Sequence, residues 1–431
     1  MPVAPSTTES APVDRSERRA LIAVAVQFFV NGAVVSSYLP RMPEVRDHLG
    51  ITLAVLGLVS TLASAAALVS SMLSSRVIER FGTKRVLVYG ATLNALMLPL
   101  VGFAGSTVAL LAVFVVIAST DVTVDIAMNL QGSWLSARRK VSVMSRLHGL
   151  WSVGTIFGGV CASRFAAAEI ELKYQLLGAT VVLLVMIAYV RRGLLPDDHA
   201  VVLAAHDAPD GADVAGTARD LHSGDHNDER AGDHNGVASQ RTSPKTGTKL
   251  LFAVGAAATF VAAMEVTSFD WAAFRLADDF GTSAGRAGLA FVVFVTGMAV
   301  GRLAGDSIQA IVGARRLTWC SIAVTGAGLA AALLIDNQAA VLAGYLVAGL
   351  GQATLMPYLY DAAAKLPGRR GAGLGALAAG IRVSTLTTPV LTGALASTSL
   401  GVGSAVAIVV LPSVIGFAVV TVLLATATPP Q

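Results

Sequence analysis

Apolar runs of roughly twenty residues recur along the chain, separated by short loops that carry Lys and Arg. LIAVAVQFFVNGAVVSSYL (21–39), LLGATVVLLVMIAYV (176–190) and VVLPSVIGFAVVTVLLATA (409–427) are three of them. A hydrocarbon core of ~30 Å takes ~20 apolar helical residues to cross. On that measure the pattern predicts twelve spans: 20–40, 52–76, 86–104, 107–134, 143–167, 172–191, 250–274, 285–305, 316–335, 338–364, 371–395 and 402–426. The expected fold is therefore an all-α polytopic membrane protein. The first run follows Arg15, Arg18 and Arg19 and continues to Tyr38-Leu39-Pro40. It is longer than the apolar core of a signal peptide and reads as a retained first helix.

The pattern divides six and six. Between the halves, 192–249 is too polar to span. Positions 197–240 contain ten carboxylates, Arg219, Arg230 and five of the seven histidines (His199, His206, His222, His226, His234). Low hydrophobicity and net negative charge predict a disordered linker. His222 and His226, with Asp225 or Asp233, are metal-ligand types, but such a segment offers no fixed cage, so no metal and no cofactor is expected. The domains read as a disordered tail (1–19), a first bundle (20–191), the linker (192–249), a second bundle (250–426) and a short tail (427–431). The halves also repeat each other. SRVIERFGTKRV (75–86) follows the second span and DSIQAIVGARRL (306–317) the eighth, and placing Gly82 on Gly313 puts Lys84-Arg85 on Arg315-Arg316. Duplicated six-helix halves are a transporter architecture.

Charge sets the orientation. Of the 31 Lys and Arg, six (Arg41, Arg46, Arg164, Lys173, Arg275, Arg286) fall on one side and Arg382 falls inside a helix. The other 24 lie on the side of the N-terminal tail, which predicts that both termini are cytoplasmic. Composition agrees: 54% of residues are hydrophobic and 13% charged, about half the charge of a soluble domain. The net charge of +4 resides in loops beside apolar segments and does not indicate nucleic acid. Cys161 and Cys320 lie inside apolar helices, where small buried residues are expected and no disulfide framework is implied. No phosphate-binding loop is present, and GRRGAGLG (368–375) opens a membrane helix where close packing is expected. No nucleophile–base arrangement suggests an enzyme.

The 75–84 loop resembles the signature of the major facilitator superfamily, roughly G-x-x-x-D-R-x-G-R-[RK], with Ser75 and Glu79 in place of its first Gly and its Asp. In the second half Asp306 sits four positions earlier than that pattern. The resemblance implies two pseudo-symmetric six-helix bundles acting as a monomer, with Glu79, Arg80, Gly82, Lys84, Asp306, Arg315 and Arg316 in a charge latch. Physically, Gly82 permits a sharp turn, Glu79 can face a helix N-terminus, and Arg80 and Lys84 can pair with carboxylates. Three further blocks, 121–159, FDWAAFRL (269–276) and GMAVGRLAGD (297–306), resemble a bacterial branch related to fucose permeases, which implies the inner membrane of a bacterium. That family uses an acid on the first helix and one on the fourth. Here the first offers Asn31, so only the fourth-helix acid carries over, to Asp121 or Asp125, and sugar specificity is not implied.

Ionisable groups inside a membrane are candidate functional groups. Asp121, Asp125 and Asn129 form one helical stripe. Two carboxylates one turn apart in a low dielectric repel, so one of them is poised to hold and release a proton. The alternative is a gate in which Asp125 and Asn129 pair with Arg138, Arg146 or His148. His148 titrates in the useful range or is a hydrogen-bonded core residue. Trp151 stacks on substrate or packs in the core. Gln27, Asn31 and Tyr38 share a face, as substrate contacts or interhelical glue. Glu265 is the second candidate coupling acid. Asp270, beside Trp271, reads as an outer-gate anchor. Thr354, Tyr358 and Asp361 lie on one face, Asp361 within reach of Lys365 or Arg369. Arg382 either pairs with Glu265 or a fourth-helix acid, or receives an anionic substrate. Together these residues suggest a proton-coupled secondary transporter of a small solute across the bilayer. Export of a drug or metabolite, and a transporter-derived sensor signalling through the linker, are the alternatives.

Overall fold

The computed structural model describes residues 15–139, 143–197, 244–366 and 371–427. The first half comprises α1 (Arg15–Ser36), a short outer helix α2 (Met42–Leu49), α3 (Leu53–Phe81), α4 (Thr83–Gly102), α5 (Thr107–Arg139), α6 (Met144–Ala167) and α7 (Leu172–Val190). The second comprises α8 (Pro244–Phe280), α9 (Ala284–Val312), α10 (Ala314–Leu334), α11 (Gln338–Gln352), α12 (Leu355–Ala364), α13 (Ala372–Ala396) and α14 (Gly401–Ala427). Among the described residues there is no strand. Among the described residues, eleven spans are long and apolar enough to cross a bilayer. The twelfth is α6, whose 24 residues reach about 36 Å but whose glycines, serines and Arg164 lower its hydropathy. Large apolar side chains such as Phe252 (79% exposed), Val108 (75%) and Ile415 (66%) face outward, which lipid tolerates and water does not.

Two boundaries differ from expectation for visible reasons. The first long helix ends at Ser36, and Tyr38 lies in the turn that follows. The tenth span is broken into α11 and α12 at Ala353-Thr354. Pro357 lacks an N–H and its ring crowds the carbonyl four residues back, that of Ala353. The break is braced by Ser321 and Thr354, whose hydroxyls are 2.8 Å apart.

The repeat is structural. Gly82 (φ 81°, ψ 152°) and Gly313 (φ 83°, ψ 151°) adopt the same backbone, a region open essentially to glycine. Their surroundings differ. Asp197 accepts from the Thr83 backbone N–H (2.7 Å) and hydroxyl (2.5 Å), capping α4. Gln131 on α5 holds that hydroxyl (2.7 Å) and both donates to and accepts from the Leu195 backbone. Gly313 has no neighbour at the position a Cβ would take. Thus 194–197, read as the start of a disordered linker, dock on the first half, with Leu194 and Leu195 buried.

The halves meet where α3 packs on α13 and α6 on α9. Gly57 and Gly393 let α3 and α13 approach backbone to backbone, and Gly285 and Gly288 do so for α9 against Ala167, Ser163 and Pro40. Arg46 pairs with Asp278 and lies 5.5 Å from the Phe274 ring. The Ala54 N–H donates to the Ser397 hydroxyl (2.7 Å). All these contacts lie at the end opposite the termini, here termed the outer end. Along one face of α13, Pro389 touches Gly57, Arg382 is exposed and Gly375 has open space. Between α3 and α13 the halves therefore part toward the end where α1 begins, while α6 and α9 stay in contact as far as Gly149 and Leu303.

Candidate functional site

The polar residues collect where the halves separate. Asp121 is fourteen residues from the outer end of α5 (Thr107), Glu265 fifteen from that of α8 (Phe280), Trp151 sixteen from that of α6 (Ala167), Arg302 eighteen from that of α9 (Ala284) and Arg382 fourteen from that of α13 (Ala396). At 1.5 Å per residue they occupy one layer about 21–27 Å from the outer helix ends.

In the first half the layer is a hydrogen-bonded chain. The Trp151 indole N–H donates to Asn31 Oδ1 (3.0 Å) and Asn31 Nδ2 donates to Asp121 Oδ1 (2.8 Å). Indole is only a donor, so Trp151 fixes which way the amide faces and leaves its NH2 to the carboxylate. One turn beyond Asp125, Asn129 Nδ2 donates to the Asp125 carbonyl (2.9 Å) and is also within reach of its carboxyl group. Arg138 is 3.6 Å from Glu17. His148 packs edge-on against Phe28, ring centroids 5.2 Å apart.

In the second half Glu265 Oε1 accepts from Arg302 Nη2 at 3.4 Å. Of the alternatives for Arg382, pairing with Glu265 is not the one seen: α9 brings its own arginine to Glu265, and Arg382 is exposed on α13, facing the gap. Arg302 also lies 6.0 Å from the Trp151 ring, so a cation–π contact joins the halves. Arg302 escapes sequence reasoning because it stands near the end of its span, where a basic residue reads as part of the loop. The signal was its place, GMAVGRLAGD, one turn inside the apolar run.

Other expected residues fall elsewhere. Gln27 is fully buried with no hydrogen-bond partner among the described residues, and the buried Trp271 indole N–H is likewise without one. Tyr38 is buried against Phe114 (5.6 Å between centroids) and lies within electrostatic reach of both Asp121 and Asp270. Tyr360 lies within reach of Glu265 and Asp125, and Tyr358 of Asp361 and Arg315. Asp361 pairs with Lys365 at 2.7 Å on the surface. Of the latch residues, Glu79 and Arg80 are exposed, Arg80 over the Phe81 ring (5.8 Å), and Lys84 is half-buried. Asp197, not Glu79, caps the helix after Gly82. Arg315 and Arg316 are exposed in the first turn of α10. The Asp306 side chain and the linker histidines lie outside the described residues. The described residues contain no cluster of metal-ligating side chains.

The family model described as Major Facilitator Superfamily matches residues 24–253 and 255–431. Membrane protein MosC of Rhizobium meliloti is 26% identical over 350 residues, 80% of this chain and 76% of that protein. An uncharacterised MFS-type transporter of Yersinia pestis is 22% identical, covering 79% of each chain. The solved nucleoside transporter NupG superposes with a TM-score of 0.65 at 12% identity, covering 97% of this chain and all of that one. A bacterial homologue of the lysosomal transporter Spinster, in an inward-facing occupied conformation, gives 0.57 at 15%, covering 96% and 97%. At such identities the structural likeness is one of fold. The chain belongs to the major facilitator superfamily and is a multi-pass membrane transporter.

Proposed function

We propose that the protein is a proton-coupled secondary transporter that moves a small solute across the bacterial inner membrane by alternating access. The observation that carries this reading is the polar layer, which lies at mid-membrane depth where the halves part. With both termini cytoplasmic, the closed end is periplasmic and the described state faces inward. Substrate enters between the halves and contacts the layer. Asn31, Trp151 and Arg382 line its approach. Asp121 or Asp125 takes up and releases the coupling proton, with Glu265 as the second acid. Neutralising an acid in that layer removes a charge that opposes rearrangement across a low-dielectric barrier, which links proton occupancy to rocking of the halves.

The test is a current recording on proteoliposomes under a proton gradient, with a panel of sugars, sugar acids, organic anions and cationic drugs. A substrate-specific flux in the native protein, read as current or, for a charge-balanced exchange, as a pH change in the vesicle lumen, that vanishes in Asp125→Asn or Asp121→Asn is expected. Unchanged proton-driven flux in both variants would contradict the coupling assignment. The sign of the current relative to substrate movement distinguishes uptake from export.

A further inference from the structure

Resting on the carrier reading, we propose that the Arg302–Glu265 pair is an exchange site for a small organic carboxylate: the substrate's carboxylate takes Arg302 as a proton takes Glu265. The second half contains a contrasting arginine. Arg275 is buried, pairs with Asp279 at 2.6 Å, reaches Asp336 at 3.2 Å and donates to the carbonyls of Ala332 and Leu333. That guanidinium engages four of its five N–H donors and is structural. Arg302 makes one contact to a carboxylate, at 3.4 Å, and its side chain is 34% exposed against 26% for Glu265. A guanidinium has five N–H donors. Among the described residues one is engaged, and the rest lie at membrane depth on the wall of the gap. On the wall of the gap those donors are open to a partner, and a carboxylate matches their fork.

The surroundings favour an anion over a cation. Trp151 lies against one side of the guanidinium, leaving its N–H edge for a planar partner. Arg382 adds a second exposed cation facing the same gap. The groups facing the pair are His148, which lies within electrostatic reach of Arg302, and Tyr360, which lies within reach of both Glu265 and Asp125. The exchange balances: one proton forms the Glu265 O–H, one ion pair breaks, another forms, and no net charge accumulates at the site.

The experiment uses the purified full-length protein with acetate, lactate, gluconate and benzoate, each beside its uncharged amide. It reads tryptophan fluorescence and proton uptake in weak buffer. The expected result is binding of a carboxylate but not its amide, with one proton taken up per molecule, so affinity falls about tenfold per unit rise in pH. The fluorescence change should disappear in Trp151→Phe. Glu265→Gln should bind the carboxylate without proton uptake, and Arg302→Gln should bind it about 100-fold more weakly, with Arg302→Lys in between. Binding that survives Arg302→Gln, or proton uptake that survives Glu265→Gln, overturns the proposal. So does binding of no carboxylate together with a fluorescence pH response unchanged in Glu265→Gln. A neutral or cationic solute that drives an Asp125-dependent current would overturn it too, while leaving the carrier reading intact.

Discussion

The two halves share a backbone plan and differ in what they place at mid-membrane. The first contributes acids and amides: Asp121 with Asn31, and Asp125 above Asn129. The second contributes an acid and arginines: Glu265 with Arg302, and Arg382 nearby in depth. The turns Gly82 and Gly313 match within a few degrees, so duplication preserved the frame while the side chains of the layer diverged. A layer of acids alone would suit only proton chemistry. Placing arginines in one half alone puts cationic groups on one wall of the layer and amide-held acids on the other.

The sharpest way to break that comparison is Asp121→Asn. It keeps a group Asn31 can bond but removes the charge, and proton-driven flux in proteoliposomes should fall to background with the protein still folded. Next is the hinge side. Gly57→Leu or Gly393→Leu drives a side chain into the opposing backbone of α13 or α3, so the outer end cannot close. Transport should be lost, and with Cys161 and Cys320 replaced by Ser, a thiol probe should label Ala396→Cys at the outer end of α13, where the parent protein with native glycines is protected. Asp197→Ala sharpens the contrast between the turns. Losing the cap of α4 costs about 1 kcal/mol, a drop of a few degrees in Tm by scanning fluorimetry, whereas truncating Arg315 beside Gly313 should leave Tm unchanged. Smallest is Lys365→Ala: its exposed pair with Asp361 is worth about 0–1 kcal/mol, and neither Tm nor flux should change measurably.

Much of this frame was legible in the sequence. Long apolar runs imply spanning helices because unpaired backbone polar groups are intolerable in lipid. The two Gly-basic turns imply duplication because that backbone needs glycine. The acids of α5 could be placed because helical spacing puts Asp121 and Asp125 on one stripe. What could not be read was partnership. Glu265 meets Arg302 and not Arg382 because of which helices neighbour α8 and how they are rotated, and neither follows from spacing along one chain. Asp197 looked like linker because its neighbours are polar; its role depends on α4 beginning, and Gln131 on α5 reaching, at the same spot. The break before Leu355 was encoded in Pro357, masked by the apolar run around it.

The account's central claim is that the halves rock about the polar layer. It is tested most directly by the distance between spin labels at Ser75→Cys on α3 and Leu374→Cys on α13, with Cys161 and Cys320 replaced by Ser. Both sites are exposed at the open end. The account predicts a long distance, as in the described state, and a second, shorter one whose share changes with pH and shifts in Asp125→Asn. A single distance, unchanged across pH and in that variant, would contradict it.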